Sequence, residues 1–234
     1  MPSTVYLIPT VLADGQTDCL PAYILDAAKN CKVFFVENER TARRFLKLLW
    51  KEMIIDDHEW YNMKEVTEEL RSSFRQKIKE EKNIGIISEA GCPGVADPGQ
   101  QLVSIAQQMN VPVRPLVGPN SILLALMASG MNGQQFQFLG YLPIDVAERT
   151  RTIRQLESES KQKQCTQIFI ETPYRNNQLF ETLAKTLHPQ TKICVAVDLT
   201  SPTEMIQTKT AQQWKTAVPQ LHKRPAIFLV YSGD

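Results

Sequence analysis

The chain has 234 residues, of which 43% are apolar and 22% charged, a composition typical of a globular protein with one large domain or two modest ones. Its 26 Lys and Arg against 25 Asp and Glu give a net charge of +1, which excludes a broadly basic surface as the main source of affinity for a partner. A nucleic-acid partner would therefore need a local basic patch.

No apolar run approaches the roughly 20 residues that span a bilayer, and the first residues lack the basic start of a signal peptide. We therefore expect a cytoplasmic protein without membrane contact. The five cysteines are odd in number and form no C-x-x-C pair, which favours reduced thiols over disulfides or zinc ligands. The three histidines are scattered, so we expect no metal.

Short β-branched or aromatic runs alternate along the chain with longer amphipathic stretches. The runs predict strands at 5–9, 33–36, 84–88, 111–117, 167–171, 192–199 and 226–231. The stretches predict helices near 18–30, 38–50, 61–81, 99–109, 119–130, 146–162, 174–187 and 210–221. Such alternation indicates α/β layers.

A cluster of two prolines and a glycine separates a predicted strand from a predicted helix at 115–120. This punctuation marks a boundary between two α/β domains, which we place at 1–116 and 117–234. Upstream of it, residues 61–82 are rich in Glu, Lys and Arg. Because both signs alternate at helical spacing, a solvated helix is favoured there over an RNA-binding face.

The segment 88–99, SEAGCPGVADPG, connects a predicted strand to an amphipathic helix and is rich in small residues. A ligand or another main-chain segment can approach such residues closely, and open α/β sheets bind ligands at the carboxyl ends of their strands. We therefore favour a ligand-binding loop. Asp97 has a simpler interpretation, as the cap of a helix whose first residue is Pro98.

Two other predicted strand ends, 116–121 and 170–175, carry similar punctuation. In the second, Thr172 can cap a helix that begins at Pro173, which would leave Glu171 facing a crevice. Each segment alone is also typical of an ordinary strand-to-helix turn. After the second strand, Glu37 and Arg40 are candidates for a site, or for an exposed ion pair within the next helix.

Several enzyme signatures are absent from the sequence. The first turn contains neither G-x-G-x-x-G nor a Walker sequence, which disfavours NAD and P-loop phosphate binding. No G-x-S-x-G elbow is present and Cys92 has no evident His partner, which disfavours nucleophilic hydrolysis.

A series of motifs in chain order resembles the tetrapyrrole methylase superfamily, the class III S-adenosylmethionine-dependent methyltransferases. The chain is most similar to the branch that methylates a ribose 2′-OH of small-subunit ribosomal RNA. The resemblance covers nearly the whole chain and rests on VYLIPT, FVENERTARRFL, IISEAGCPGVADPG, RPLVGPNSILLALMASG, FLGYLP, IFIETPYR, VDLTSPTE and PAIFLVYSG.

The resemblance implies a transferase with two α/β domains, S-adenosylmethionine in the cleft between them, and a homodimer. It also implies a part in ribosomal RNA processing, with ribosomal RNA or the small subunit as partner. Matching positions place the cofactor near Pro9, Glu89, Ala90, Gly91, Cys92, Pro93, Asn120, Ser121, Ile170, Glu171, Thr208, Pro225 and Ala226.

Three motifs depart from the pattern of the ribosomal RNA branch. The first turn has PTVLADG at 9–15 instead of P-T-P-I-G-N, and the second has ENER at 37–40 instead of E-D-T-R. At 197–201 the chain has VDLTS where R-E-L-T-K is usual, so both basic residues are replaced.

Methyl transfer from a sulfonium is an in-line displacement, so the protein mainly has to hold the methyl carbon about 3 Å from an aligned acceptor. A ribose hydroxyl is a poor nucleophile and a base assists it, for which the candidates are Glu37, Asp97 and Glu171. Two alternatives remain open: methylation of a tetrapyrrole or other small molecule, and a non-catalytic module that binds S-adenosylmethionine.

Overall fold

The computed structural model describes residues 3–233, and the chain divides into two units, Met1–Asn120 and Ser121–Asp234. Each unit contains its own five-stranded sheet with helices packed on it, which confirms the predicted α/β class. Within the described residues, no helix has both the length and the apolar character needed to cross a membrane.

The first unit is built on a fully parallel sheet with strand order β3-β2-β4-β1-β5. Its central strands are continuous apolar runs because helices cover both faces. The strands are β1 (Val5–Ile8), β2 (Val33–Val36), β3 (Glu59–Asn62), β4 (Ile84–Ile87) and β5 (Val113–Pro115). The helices are α1 (Tyr23–Lys29), α2 (Glu39–Leu49), α3 (Glu68–Lys79) and α4 (Gly99–Gln108).

The second unit has a mixed sheet with strand order β6-β7-β10-β8-β9, in which β6 and β7 are parallel and the other neighbours are antiparallel. Its core lies between this sheet and the helices, around Phe169, Phe228 and Trp214. The strands are β6 (Phe136–Tyr141), β7 (Thr166–Ile170), β8 (Lys192–Val197), β9 (Met205–Thr210) and β10 (Ala226–Tyr231). The helices are α5 (Ser121–Ser129), α6 (Val146–Lys163), α7 (Asn176–Thr186) and α8 (Ala211–Trp214).

The seven predicted strands all form, but three observed strands, β3, β6 and β9, were not predicted. All three lie at sheet edges and show mixed exposed and half-buried residues instead of an apolar run. The predicted helix 61–81 was too long because it included the end of β3, and the predicted helix 210–221 is a single turn, α8.

Candidate functional site

The loops that follow β1, β2, β4 and β5 lie at one edge of the first sheet, because all of these strands are parallel. This edge is formed by the carboxyl ends of the parallel strands, not by an outer strand, and we call it the first-sheet edge. Main-chain and side-chain hydrogen bonds join its loops. Thr10 N donates to Gly91 O at 2.9 Å, and Glu89 N donates to Glu37 Oε2 at 2.9 Å. The Cys92 thiol lies 3.4 Å from Pro119 O and donates to it.

Two glycines at this edge allow the loops to approach closely. A Cβ at Gly118 would lie 2.2 Å from Pro9 Cβ, so the proline ring occupies the space where a side chain would be. Gly91 has φ +74°, and a Cβ there would lie 3.2 Å from both Leu12 Cδ2 and Pro119 O. The small residues predicted as a ligand-binding loop therefore also serve loop-to-loop packing at these positions.

Beside the packed glycines, the small-residue loop borders an open pocket of about 330 Å³. A Cβ at Gly94 would meet no atom within 4 Å, so this side of the loop has free space. The lining is mostly apolar and combines the loop with β1, β5 and α4; it consists of Leu7, Cys92, Pro93, Gly94, Val95, Gln100, Val103, Pro115 and Leu116. Where small side chains leave the main chain facing free space, its N–H and C=O groups can bind a small molecule.

Asp97 closes the small-residue loop onto α4. Its Oδ1 accepts hydrogen bonds from Gly94 N at 2.9 Å and Gly99 N at 2.8 Å. The prediction that Asp97 is the cap residue was wrong by one position, because α4 begins at Gly99 with Pro98 at the cap position. Its Oδ2 is buried and has no partner among the described residues. Burial raises the pKa of the Asp97 carboxyl, and the nearby charge of Glu37 adds to this effect.

The candidate ion pair of Glu37 and Arg40 does not form. Glu37 is instead the acceptor for Glu89 N and so ties the end of β2 to the loop after β4. The ion pair within α2 joins Glu39 Oε2 and Arg43 Nη2 at 2.7 Å. Asn38 caps this helix by accepting from Arg40 N at 3.0 Å, a role its amide oxygen fills as well as a carboxylate would.

In the second unit, β7 and β8 end at the edge where β10 begins, which we call the β7 edge. Ile170 pairs with Ile227, and Ala226 pairs with Val197. Asp198 N donates to Pro225 O at 3.0 Å across this edge. The structure therefore brings together four predicted cofactor residues of this unit: Ile170, Glu171, Pro225 and Ala226.

Glu171 holds the end of β7 through a buried ion pair. Its side chain is 0% exposed, and its Oε1 accepts from Arg175 Nη2 at 2.6 Å and from Thr172 N at 2.6 Å. Its Oε2 is buried without a partner in residues 3–233, so one oxygen remains able to accept a hydrogen bond. The prediction that Thr172 caps the next helix was wrong, because α7 begins at Asn176 with Arg175 at the cap position.

Thr208 and Ser121, the other predicted residues of this unit, lie on different elements. Thr208 is in β9 opposite Cys194, three residues along β8 from Val197, and its Oγ1 donates to Ser129 O at 2.7 Å. Ser121 is the first residue of α5, and Asn120 is the last residue of the first unit.

The ion pair of Asp198 and Arg224 at the β7 edge was not predicted from the sequence. Arg224 Nε donates to Asp198 Oδ2 at 2.8 Å, and its Nη2 donates to Thr203 O at 2.8 Å. The same loop holds Asp198 at φ +49° and Thr200 at φ +69°, a conformation that a β-branched residue rarely adopts. The motif VDLTSPTE marked this loop in the sequence, but no local pattern linked it to a residue 26 positions away.

The family model of the Tetrapyrrole (Corrin/Porphyrin) Methylases matches residues 13–214. The chain belongs to this family. Proteins with similar sequences include a ribosomal RNA small subunit methyltransferase I from Micromonospora olivasterospora, which is 33% identical over 79% of this chain. Another of the same name, from Vibrio cholerae, is 28% identical over 87% of this chain. The chain spans 56% of the first relative and 67% of the second.

Solved structures of the family share the fold at low sequence identity. The methyltransferase CobJ aligns with a TM-score of 0.64 and 16% identity over 99% of this chain and 94% of that one. A uroporphyrin-III C-methyltransferase from Thermus thermophilus, solved with S-adenosyl homocysteine, aligns with a TM-score of 0.57 and 16% identity over 98% of this chain and 97% of that one.

Among the residues that the structure describes, no three His, Cys, Asp or Glu are grouped to hold a metal ion.

Proposed function

We propose that the chain carries an S-adenosylmethionine-dependent methyltransferase activity whose acceptor is a ribose 2′-OH of small-subunit ribosomal RNA. The observation that carries this proposal is membership of the tetrapyrrole methylase family together with relatives named for ribosomal RNA methylation. The solved structures of CobJ and of the uroporphyrin-III C-methyltransferase support the fold alone at their level of identity, so they do not favour a tetrapyrrole acceptor.

The first-sheet edge fits a small polar cofactor. Its loops present main-chain groups with few side chains, and an open pocket adjoins Cys92 and Pro93. We propose that Pro9, Asn120 and the loop 89–93 bind S-adenosylmethionine, which supplies the methyl group. The small side chains would leave room for the cofactor beside the main chain, whose N–H and C=O groups would provide hydrogen bonds, and the apolar lining would fix its orientation by shape.

We further propose that residues of the second unit contribute to cofactor binding. The β7 edge offers Ile170, Glu171, Pro225 and Ala226 together, with an available Oε2 on Glu171. Ser121 and Thr208 remain proposed contacts of the same kind.

Of the three carboxylate candidates for the base, Asp97 is favoured. Glu37 Oε2 already accepts from Glu89 N. Glu171, like Asp97, has one oxygen without a partner in the described residues, but its other oxygen forms an ion pair with Arg175. Asp97 Oδ2 has no partner within the described chain, and burial raises the pKa of this carboxyl toward the range in which a base works best. A base there would accept the hydroxyl proton, while the methyl group would pass from the sulfonium sulfur of S-adenosylmethionine to the acceptor oxygen and S-adenosylhomocysteine would leave.

The proposal includes a homodimer working on ribosomal RNA in the cytoplasm. Helix α5, SILLALMAS, is apolar around most of its circumference, and Met127 on it is 79% exposed, as expected of a surface that a second copy covers. Light scattering on the purified protein would give the mass of two chains. The mass of one chain would contradict the dimer.

Cofactor binding is tested with a pair of glycine variants. Gly91 and Gly15 have similar positive φ, +74° and +78°, but a Cβ at Gly15 meets nothing within 4 Å. Both Ala variants thus carry similar backbone strain, and only Gly91→Ala adds a contact inside the proposed site. We expect titration calorimetry to show affinity for S-adenosylmethionine reduced about tenfold in Gly91→Ala, from roughly 1.4 kcal/mol due to the added contact, and unchanged in Gly15→Ala.

The acceptor is tested separately with radiolabelled S-adenosylmethionine and small ribosomal subunits from a strain that lacks the gene. Label in the 2′-OH of one ribosomal RNA nucleotide supports the proposal. Cofactor binding without transfer to ribosomal RNA would contradict the substrate. A porphyrinoid absorbance change would then favour the small-molecule alternative, and no transfer to any extract would favour the binding module.

A further inference from the structure

A buried arginine in α6 has no carboxylate partner among residues 3–233. Arg149 is 0% exposed, yet its guanidinium has only neutral acceptors: Nη1 donates to Ile144 O at 3.3 Å and Nη2 to Thr182 Oγ1 at 3.2 Å. Its Nε is buried without any partner in the described part of the chain. The ion pairs found within residues 3–233 all join other residues.

This arrangement is unusual for a guanidinium, which stays charged at every physiological pH and carries five N–H donors. Buried charges in proteins are almost always paired with an opposite charge, because removing a charge from water is costly. Two long hydrogen bonds to neutral oxygens leave most of that cost without compensation. An anion from outside the chain would supply the missing partner.

A pocket of about 270 Å³ lies beside Arg149, between α6 and α7. A water molecule takes about 30 Å³ in the liquid, so the pocket has room for a phosphate group with several waters. Lys185 adds a second cation to the lining, and its partner Glu181 lies 3.4 Å away with both side chains mostly exposed. The lining consists of Val146, Arg149, Thr150, Gln178, Glu181, Thr182, Lys185 and Thr186.

We propose that this Arg149 pocket is a phosphate subsite, in which the guanidinium and Lys185 hold one phosphate group. Helix α6, which carries Arg149, begins soon after β6 ends. Because β6 is parallel to β7, the first turn of α6 lies at the same end of the strands as Glu171. The identity of the ligand rests on the proposed function: the phosphate is a phosphodiester of the RNA acceptor. Free inorganic phosphate is the other source of the same chemistry.

Inorganic phosphate is the first probe, titrated by calorimetry into the full chain against chloride at equal ionic strength. Arg149→Gln removes the charge, and Arg151→Gln removes an exposed charge from the same helix as a matched control. We expect Arg149→Gln to weaken phosphate binding about ten- to a hundredfold, as for the loss of charge-assisted hydrogen bonds, and Arg151→Gln to leave it unchanged. No binding by the wild type, or equal binding by both variants, would overturn the subsite.

If Arg149→Gln does not fold, as judged by circular dichroism, Lys185→Gln tests the same pocket from an exposed position. It should weaken phosphate binding severalfold, and an unchanged affinity would overturn the assignment.

Single-stranded RNA is the second probe, titrated over a range of salt concentrations. If a phosphodiester occupies the pocket, Arg149→Gln should reduce the slope of log affinity against log salt by about one relative to Arg151→Gln. Equal slopes with phosphate binding retained would overturn RNA as the source and leave free phosphate. Because neither probe uses S-adenosylmethionine, a failure of methyl transfer would count against the proposed function alone.

Discussion

At the first-sheet edge the loops touch through glycine, proline and main-chain atoms, whereas at the β7 edge ion pairs hold the loops, one within a loop and one between two loops. Gly118 leaves space for the ring of Pro9 in the first case. In the second, Glu171 pairs with Arg175 and Asp198 with Arg224. The first arrangement depends on shape and is disrupted by atoms added between the packed loops, while the second depends on charge and is weakened when an ion pair loses one partner.

The largest expected effect tests the dependence on shape. Gly118→Val adds a side chain where a Cβ would already lie 2.2 Å from Pro9 Cβ, so the loops must separate. We expect the free energy of unfolding of the first unit to fall by about 3 kcal/mol, at the upper end for overpacking, with loss of cofactor binding. Thermal unfolding followed by circular dichroism measures it. Gly133→Val, where a Cβ meets nothing within 4 Å, is the control, and an equal loss there would refute the steric cause.

A smaller effect tests the dependence on charge at the β7 edge. Glu171→Gln keeps an acceptor for Thr172 N but leaves the Arg175 guanidinium, which is 31% exposed, without its carboxylate. Partial solvation limits the expected loss to about 2 kcal/mol of unfolding free energy. The exposed pair of Glu181 and Lys185 gives a matched control, for which Glu181→Gln should cost below about 0.5 kcal/mol. Similar denaturation midpoints for the two variants would show that burial is not decisive.

The smallest effect concerns Asp97, where shape and charge meet. Burial raises the pKa of this carboxyl above its unfolded value, so the folded state holds the proton more tightly. The contribution of Asp97 to stability is then fully present below the unfolded pKa and is lost as pH rises through the folded pKa. Asp97→Asn stays neutral and keeps an acceptor for Gly94 N and Gly99 N. The variant should therefore gain stability relative to the wild type from acidic to neutral pH.

Urea denaturation of both proteins at several pH values between 3 and 8 would measure that difference. A constant difference across the range would mean that Asp97 does not titrate differently on folding. If the free energy of unfolding of the wild type instead rose relative to that of the variant with increasing pH, the pKa shift of Asp97 would have the opposite sign.

Apart from the edge strand β5, which was predicted, the predicted and the unpredicted strands differ in how they are buried. Strands such as β2 and β4 are covered on both faces, which demands apolar residues at every position and makes them visible in the sequence. Edge strands such as β3 and β9 have one free side and mixed burial, so residues such as Glu59 and Lys209 fit them. Local composition does not distinguish such a segment from a helix start or a loop.

For the candidate site, the sequence identified loops but not contacts. Small residues around Gly91 pointed to close approach, yet they did not tell which partner approaches, since both Leu12 and Pro119 come from other loops. Arg224 and Asp198 are distant in the chain and meet because β8 and β10 are neighbours.

The sequence by itself determined the α/β class, the central strands and the family, because apolar periodicity and ordered motifs are local properties of the chain. Only the tertiary structure decided which glycines are packed and which open, which carboxylate oxygens lack partners within residues 3–233, and that Arg149 is buried without a counter-charge from those residues. Those properties depend on segments far apart in the sequence, which exclude solvent and contribute the neighbouring atoms. No local pattern encodes them.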